Sequence, residues 1–98
     1  MNLGVTIKKI RQQKGQSQIE FASVVGITQT YLSQIENDVR EPNLSTLKKI
    51  STHLALPLPI LFFLALSETD IPVEKRQAFE IINPSINTFV NEFFGVSK

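Results

Sequence analysis

The chain has 98 residues, 42% of them hydrophobic, and no cysteine, so we expect a single domain with one core and without disulfides or thiolate metal sites. The net charge of +1 hides an asymmetry, because residues 1–56 carry seven Lys and Arg against four acids, whereas residues 57–98 carry three against five. This asymmetry suggests a polyanionic partner for the N-terminal half. The longest apolar run, residues 54–66, is shorter than the roughly 20 residues of a membrane-spanning helix. No signal-peptide pattern is present, and we expect a cytoplasmic protein.

The first 26 residues predict two helices. Residues 5–14 combine apolar positions with a basic cluster and end at Gly15. Ser17, with Glu20 three positions later, forms the capping-box pattern that begins a second helix, and Gly26 ends it. The predicted buried side of this second helix consists of Ile19, Phe21, Ala22 and Val25.

A third helix is predicted from its N-cap at Thr28 to Asn37, after a turn of about three residues around Gly26. Its inward side is marked by Leu32, Ile35 and Glu36. Its outer side carries no charge and consists of Gln29, Thr30, Ser33 and Gln34, with Tyr31 beside them. A solvated helix surface usually carries Lys and Glu, whereas short or planar hydrogen-bonding groups suit the edges of bases in a DNA major groove.

Proline residues divide the next part of the chain. Pro42 ends the polar loop after the third helix, and Ser45 is the predicted N-cap of a fourth. Pro59 fits the first turn of a fifth helix, which is apolar on all sides and must be buried on more than one of them.

The C-terminal third predicts one or two further helices. Thr69 or Asp70 would cap the first of these, and Asn83 with Pro84 would interrupt it. The predicted apolar side of the first helix consists of Ala78, Ile81 and Ile82, and that of the last helix consists of Ile86, Phe89, Val90, Phe93 and Phe94.

Four segments carry a resemblance to a known family: IKKIRQQKG, SQIEFASVVGIT, YLSQIEN and PNLSTLKKISTHL. In this order and spacing they resemble the lambda-repressor/Cro-like (XRE-type) helix-turn-helix domain, and most of all the controller proteins of type II restriction–modification systems. The resemblance implies an all-α fold with a five-helix body in residues 1–66 and a helical extension in residues 67–98 that contributes to the dimer or to core packing. Asp38 stands where the family commonly has glycine, and aspartate tolerates the left-handed conformation better than most residues.

The resemblance also implies a function. Such proteins are symmetric homodimers that bind double-stranded DNA at palindromic operators and regulate transcription, including their own. Two dimers can occupy tandem operators, and a contact with RNA polymerase is compatible with this behaviour. The resemblance implies no cofactor and no membrane.

Individual residues receive roles by the same resemblance. Base contacts are expected from Gln29, Thr30, Tyr31, Ser33, Gln34 and Arg40. Phosphate contacts are expected from Gln18, Asn43, Thr46 and Lys49. Arg11 and Glu36 would form an ion pair inside the domain. The expected dimer interface consists of Ile60, Leu61, Phe63, Leu64, Phe89 and Phe93.

Competing hypotheses remain open at this point. Glu36 has no paired carboxylate at a sensible position, and the sole histidine, His53, lies among ordinary packing residues, so we do not expect an enzyme. Within DNA binding, the chain could be a phage-type repressor, or an antitoxin whose C-terminal segment binds a partner. A helical interaction module without DNA binding is the third alternative, although a protein-binding face usually offers aromatic or aliphatic anchors.

Overall fold

A computed structural model describes residues 1–96, which are helical without any strand. Two short 3-10 turns, Glu68–Asp70 and Val73–Lys75, precede the last helix. The helices are α1 (Leu3–Gln13), α2 (Gln18–Val25), α3 (Gln29–Glu36), α4 (Leu44–His53), α5 (Leu58–Ala65) and α6 (Arg76–Phe94). The all-α class and the five-helix body that the sequence predicts are confirmed.

The first five helices enclose one core. α1 packs against α3 and α5, α2 packs against α3 and α4, and α4 packs against α5. The centre is made of apolar side chains, most of them at helical spacing in the sequence, and it also includes Val90 of α6 and Val96 after that helix. Those with less than 2% of their surface exposed are Ile7, Ile10, Phe21, Leu32, Ile35, Ile50, Leu54, Leu61, Leu64, Val90 and Val96. Each such side chain contributes roughly 1.5–3 kcal/mol by its removal from water.

Local capping chemistry fixes the ends of the helices around the first turn. The Ser17 hydroxyl accepts a hydrogen bond from the Glu20 backbone N–H at 3.1 Å, and the Thr28 hydroxyl accepts one from the Tyr31 N–H at 3.0 Å. Gly26 ends α2 in the left-handed conformation, with φ of 84°. These three predicted boundaries are therefore confirmed.

Two predictions for α2 and α4 are wrong. Ile19 is 64% exposed, because it lies on the solvent side of α2, away from its buried residues Phe21 and Ala22. The N-cap of α4 is Asn43 and not Ser45: the Asn43 side chain accepts the Thr46 N–H at 2.8 Å, which draws Ser45 into the first turn. Asparagine and serine are about equally good N-caps, so local propensity does not separate them.

The C-terminal third also differs from its prediction. Two short 3-10 turns, and not a regular helix, lie on either side of Pro72. A continuous helix is interrupted there because the residue before a proline is driven to the extended conformation, as Ile71 is. Pro84 lies inside α6 and does not break it. Two side chains bond to backbone carbonyls there: the Thr88 hydroxyl donates to the Pro84 carbonyl at 3.0 Å, and Asn87 Nδ2 donates to the Asn83 carbonyl at 3.1 Å.

The packing of α6 explains why the helix continues past this proline. Val90 is fully buried in the common core, and Ile86 and Phe94 pack against it. Ile81 and Ile82, which the sequence pattern assigned to an inward side, are exposed instead, because the helix turns its later residues to the core. Tertiary contacts thus decide the conformation of a segment in which local signals point to a break.

Gly4 allows α1 to lie directly against the end of α3. A Cβ atom at this position would overlap the backbone carbonyl oxygens of Ile35 and Glu36 and the Asp38 carboxylate. We expect Gly4→Ala to lower the free energy of unfolding by about 1–2 kcal/mol, since the clash outweighs a gain in helix propensity of about 1 kcal/mol. Urea denaturation followed by circular dichroism measures this change. Lys8→Ala on the exposed side of α1 serves as control, and a more stable Gly4→Ala variant would contradict the close approach.

Among the described residues, no single helix is long and apolar enough to cross a membrane; α4 and α5 meet that criterion only as a pair bent by 95°.

Candidate nucleic-acid interface

The α2–turn–α3 segment presents one side of α3 to solvent. The turn is closed by hydrogen bonds from the Gly26 and Ile27 N–H groups to the Ala22 carbonyl, both at 3.0 Å. Because no atom lies within 4 Å of a Cβ built on Gly26, glycine is needed there for its positive φ and not for space. Thr28 is extended and starts α3 directly after the turn.

The outer side of α3 and the start of α2 form an uncharged depression. Gln29 and Thr30 are exposed, and Ser33 and Gln34 are half-buried. Together with Gln18 they line an open concavity of about 350 Å³. Five side chains with hydrogen-bond donors and acceptors thus converge on a surface that has no carboxylate to repel a nucleic acid.

A buried ion pair lies behind this depression. Arg11 Nε lies 2.7 Å from Glu36 Oε2, and Arg11 Nη2 lies 3.0 Å from Glu36 Oε1. The two side chains are 7% and 1% exposed. Arg11 Nη1 also donates to the Gln16 carbonyl at 2.8 Å. The ion pair that the resemblance implies is present, and it ties α1 and the α1–α2 loop to the end of α3.

Hydrogen bonds continue from the ion pair to the surface. Gln18 Nε2 donates to Glu36 Oε1 at 3.1 Å, and Gln29 Nε2 donates to Gln18 Oε1 at 3.4 Å. We call the series Arg11–Glu36–Gln18–Gln29 the polar relay. The resemblance implies a phosphate contact for Gln18 and a base contact for Gln29. The structure adds that the two side-chain amides are hydrogen-bonded to each other. Residue spacing alone does not reveal this link, because it crosses from one helix to the next.

The loop after α3 brings Arg40 back to Tyr31, which lies in the first turn of that helix. Asp38 adopts the left-handed conformation with φ of 58°, as the sequence predicts. The N–H groups of Val39 and Arg40 both bond to the Gln34 carbonyl, at 2.8 and 3.2 Å. This fold of the chain brings the Arg40 guanidinium over the Tyr31 ring, 4.9 Å from its centroid. Tyr31 and Arg40 are therefore in direct contact, and neither lines the depression.

The expected phosphate ligands of α4 lie in its first turns. Asn43 uses its side-chain oxygen as the N-cap, which leaves its Nδ2 as a hydrogen-bond donor. Thr46 is half-buried and Lys49 is exposed. The start of a helix favours anions through its unpaired N–H groups and its dipole.

The expected dimer interface divides into two groups. Leu61 and Leu64 are fully buried in the core of the single chain, so the assignment of these two to an interface is wrong. They point inward because α5 packs against both α1 and α4. Ile60 and Phe63 are half-buried, whereas Phe89 and Phe93 are more than half exposed, with ring centroids 4.5 Å apart.

The carboxyl groups with shifted pKa values lie outside this surface. The Ser67 backbone N–H, and then the N-terminal ammonium group, lower the pKa of Asp70 to about 2. The pKa of Glu80 is raised by its hydrogen bond with the Glu68 carboxyl. Within residues 1–96, no three His, Asp or Glu side chains are grouped as they would be around a metal ion.

Comparisons with known proteins agree with the fold. The sequence model of the helix-turn-helix family matches residues 7–61, which contain α2 and α3. The regulator ClgR from Corynebacterium glutamicum has a similar fold, with a TM-score of 0.63 over 92% of this chain and 87% of that chain at 18% identity.

The curated relatives include proteins named as transcriptional regulators and one named as a control protein. The control protein C.MunI of a Mycoplasma species is 40% identical over 63 residues, covering 63% of this chain and 85% of its own length. The regulator ImmR of Bacillus subtilis is 33% identical over 92 residues, covering 94% of this chain and 68% of its own length. The chain spans only 31% and 37% of two longer Escherichia coli regulators that it also matches. The chain therefore belongs to the helix-turn-helix family.

Proposed function

We propose that the protein binds a palindromic DNA operator as a homodimer and controls the expression of restriction–modification genes, including its own. The observation that carries this proposal is the uncharged depression over Gln18, Gln29, Thr30, Ser33 and Gln34. The similarity to a protein named a control protein, which the chain covers over most of its length, supports the regulatory part.

Base recognition would come from α3. Glutamine can bond adenine through two atoms at once, and each good contact of this kind is worth roughly 1–3 kcal/mol of discrimination. The hydrogen bond from Gln29 to Gln18 restrains the Gln29 amide before DNA binds. This amide would therefore lose less rotational freedom when it contacts a base. Thr30, Ser33 and Gln34 complete the surface that would face the bases, and Tyr31 with Arg40 would contact the groove edge.

Phosphate contacts would flank this surface on both sides. Gln18 lies at the start of α2, and Asn43, Thr46 and Lys49 lie in the first turns of α4. A single short helix contacts only a few base pairs, so specific binding requires two subunits on two half-sites. The accessible residues of the expected interface, Ile60, Phe63, Phe89 and Phe93, would join those subunits.

DNA binding tests the proposal. Affinity for the DNA upstream of the protein's own gene is measured across salt concentrations, with a scrambled duplex as competitor. We expect tight preference for the upstream sequence and a steep loss of affinity with salt. Lys49→Ala should reduce the salt slope by about 2 per dimer, one for each subunit. Lys75→Ala, which changes an exposed lysine outside the family match, should leave the slope unchanged.

The same experiment separates the competing hypotheses. Equal, weak binding to both duplexes at every salt concentration contradicts the proposal and favours an interaction module. Specific binding to a phage operator or to the promoter of a toxin gene, with none upstream of restriction and methyltransferase genes, contradicts the restriction–modification role alone.

A further inference from the structure

A small groove lies between α1 and the end of α5. Its volume is about 150 Å³, and it is open to solvent on one side. The Asn2 backbone N–H donates to the Ala65 carbonyl at 2.7 Å, which joins the two helices at one end of the groove. We call this feature the α1–α5 groove. It shares no residue with the depression on α3.

The floor of the α1–α5 groove is apolar. Ile10 of α1 and Leu64 of α5 line it and are each 1% exposed. Val5 and Leu66 line it nearer the surface, where Val5 is 58% exposed and Leu66 is half-buried. An apolar group placed here would be removed from water on the side that faces the protein.

Thr6 adds an unpaired hydroxyl to this apolar floor. Its side chain lines the groove although only 9% of the residue is exposed. Within residues 1–96 the Thr6 hydroxyl makes no hydrogen bond, whereas the hydroxyls of Thr52 and Thr88 bond to backbone carbonyls one turn earlier. Thr6 is also not among the described side chains whose unpaired atoms are sealed from solvent. A hydroxyl left without a partner at such a buried position is unfavourable, so a ligand that bonds to it gains affinity.

Lys9 determines the charge that the groove accepts. It lines the groove, is exposed, and forms no ion pair within the part of the chain that the structure describes. None of the lining residues is acidic. Thr6 and Lys9 are three residues apart on α1, which places their Cβ atoms about 5–6 Å from each other. The hydroxyl and the ammonium group can therefore both donate to one carboxylate.

The acidic residues nearby fix the direction of such a ligand. Glu68 and Glu80 line a neighbouring concavity that begins at Asn2 and Leu66, and their carboxyl groups are hydrogen-bonded to each other. A carboxylate at that end would be repelled. The anionic end of a ligand therefore belongs at Lys9, and its apolar end belongs near Leu66.

The size of the groove limits the ligand. Asn2 and Lys9 are seven residues apart, which corresponds to about 10 Å along α1. An apolar cavity of about 150 Å³ is known to hold benzene, which has six carbons. The groove therefore has room for an apolar body of about six carbons.

From these observations we infer that the α1–α5 groove binds a small carboxylic acid in its ionised form, with an apolar body of about six carbons. The Thr6 hydroxyl and the Lys9 ammonium group hold the carboxylate, and the apolar body covers Leu64 and Leu66. This inference goes beyond the proposed function, because it concerns a ligand other than DNA and a surface away from α3.

A titration with hexanoate tests the site. Isotope-labelled full chain without DNA should show saturable changes in the amide chemical shifts of α1 and of the end of α5. Affinity should rise from butanoate to hexanoate by up to about 15-fold, or about fourfold for each methylene, and little further for octanoate. 1-Hexanol, which has no charge, should bind more weakly than hexanoate. Equal affinity for 1-hexanol, no saturable change, or changes confined to the outer side of α5 around Phe62 overturns the inference.

Three variants test the residues that hold the carboxylate. Thr6→Val keeps the side-chain shape and should weaken hexanoate binding by about 10-fold, without lowering the melting temperature. Lys9→Gln should weaken it by about three- to fivefold, as expected for an exposed ion pair. Lys8→Gln makes the same change of charge on an exposed lysine outside the groove and should leave the affinity unchanged. Unchanged affinity in the first two variants, an equal loss in Lys8→Gln, or a lower melting temperature of Thr6→Val contradicts the assignment.

Discussion

Glu36→Ala is expected to lower the free energy of unfolding by about 3–5 kcal/mol, because it leaves the buried Arg11 guanidinium without its carboxylate. The same change removes the acceptor of the Gln18 amide. Since a domain of this size has a total stability of roughly 5–15 kcal/mol, much of it would be lost. The urea midpoint measured by circular dichroism checks this expectation, and an unchanged midpoint would contradict it.

Companion variants keep this experiment informative if Glu36→Ala does not fold. Glu36→Gln retains an oxygen acceptor while removing the charge, so an intermediate loss is expected. Arg11→Met combined with Glu36→Leu removes both charges and should recover a large part of the stability lost in the single variant. Glu41→Ala, which removes an exposed acid, should change the stability by no more than about 0.5 kcal/mol.

Gln34→Ala is expected to produce the largest loss of specific DNA binding. One two-atom contact with adenine is worth roughly 1–3 kcal/mol, and a symmetric operator contains it twice, so affinity should fall between about 30-fold and 10⁴-fold. The loss should be confined to the specific duplex and to one base-pair position in each half-site. Binding of wild type and variant to operators substituted at single positions measures this effect.

The matched controls for Gln34→Ala come from the same chain. Gln77→Ala removes an exposed glutamine of α6 and should leave operator affinity unchanged. Lys49→Ala should weaken binding to all sequences alike, because a phosphate contact carries no base identity. If Gln34→Ala weakened binding to the specific and the scrambled duplex equally, Gln34 would not be a base-reading residue.

The sequence was sufficient to predict those helix ends and turns that depend on interactions within a few residues. Ser17, Gly26, Thr28 and Asp38 act through bonds or backbone angles within a few residues, and each adopts its predicted conformation. The Arg11–Glu36 pair could be carried over from the family resemblance. These features are enough to define the turn and the outer surface of α3.

Tertiary contacts decide the features that the sequence did not reveal. Gly4 has an ordinary helical position, and its importance comes from the carbonyl oxygens of α3 beside it. Pro84 remains within a helix because Val90 is fixed in the core one and a half turns later. On α5, which is apolar on all sides, periodicity could not distinguish the buried Leu61 and Leu64 from the half-buried Ile60 and Phe63.

The polar relay also restricts how such a protein can diverge. Gln18 and Gln29 connect through Glu36 to the interior, so replacing either of them alters an arrangement that includes a buried charge. Thr30, Ser33 and Gln34 face the same depression, but the relay does not pass through their side chains. New operator preferences should therefore evolve first at these three positions, where substitutions change recognition without a matching cost to folding.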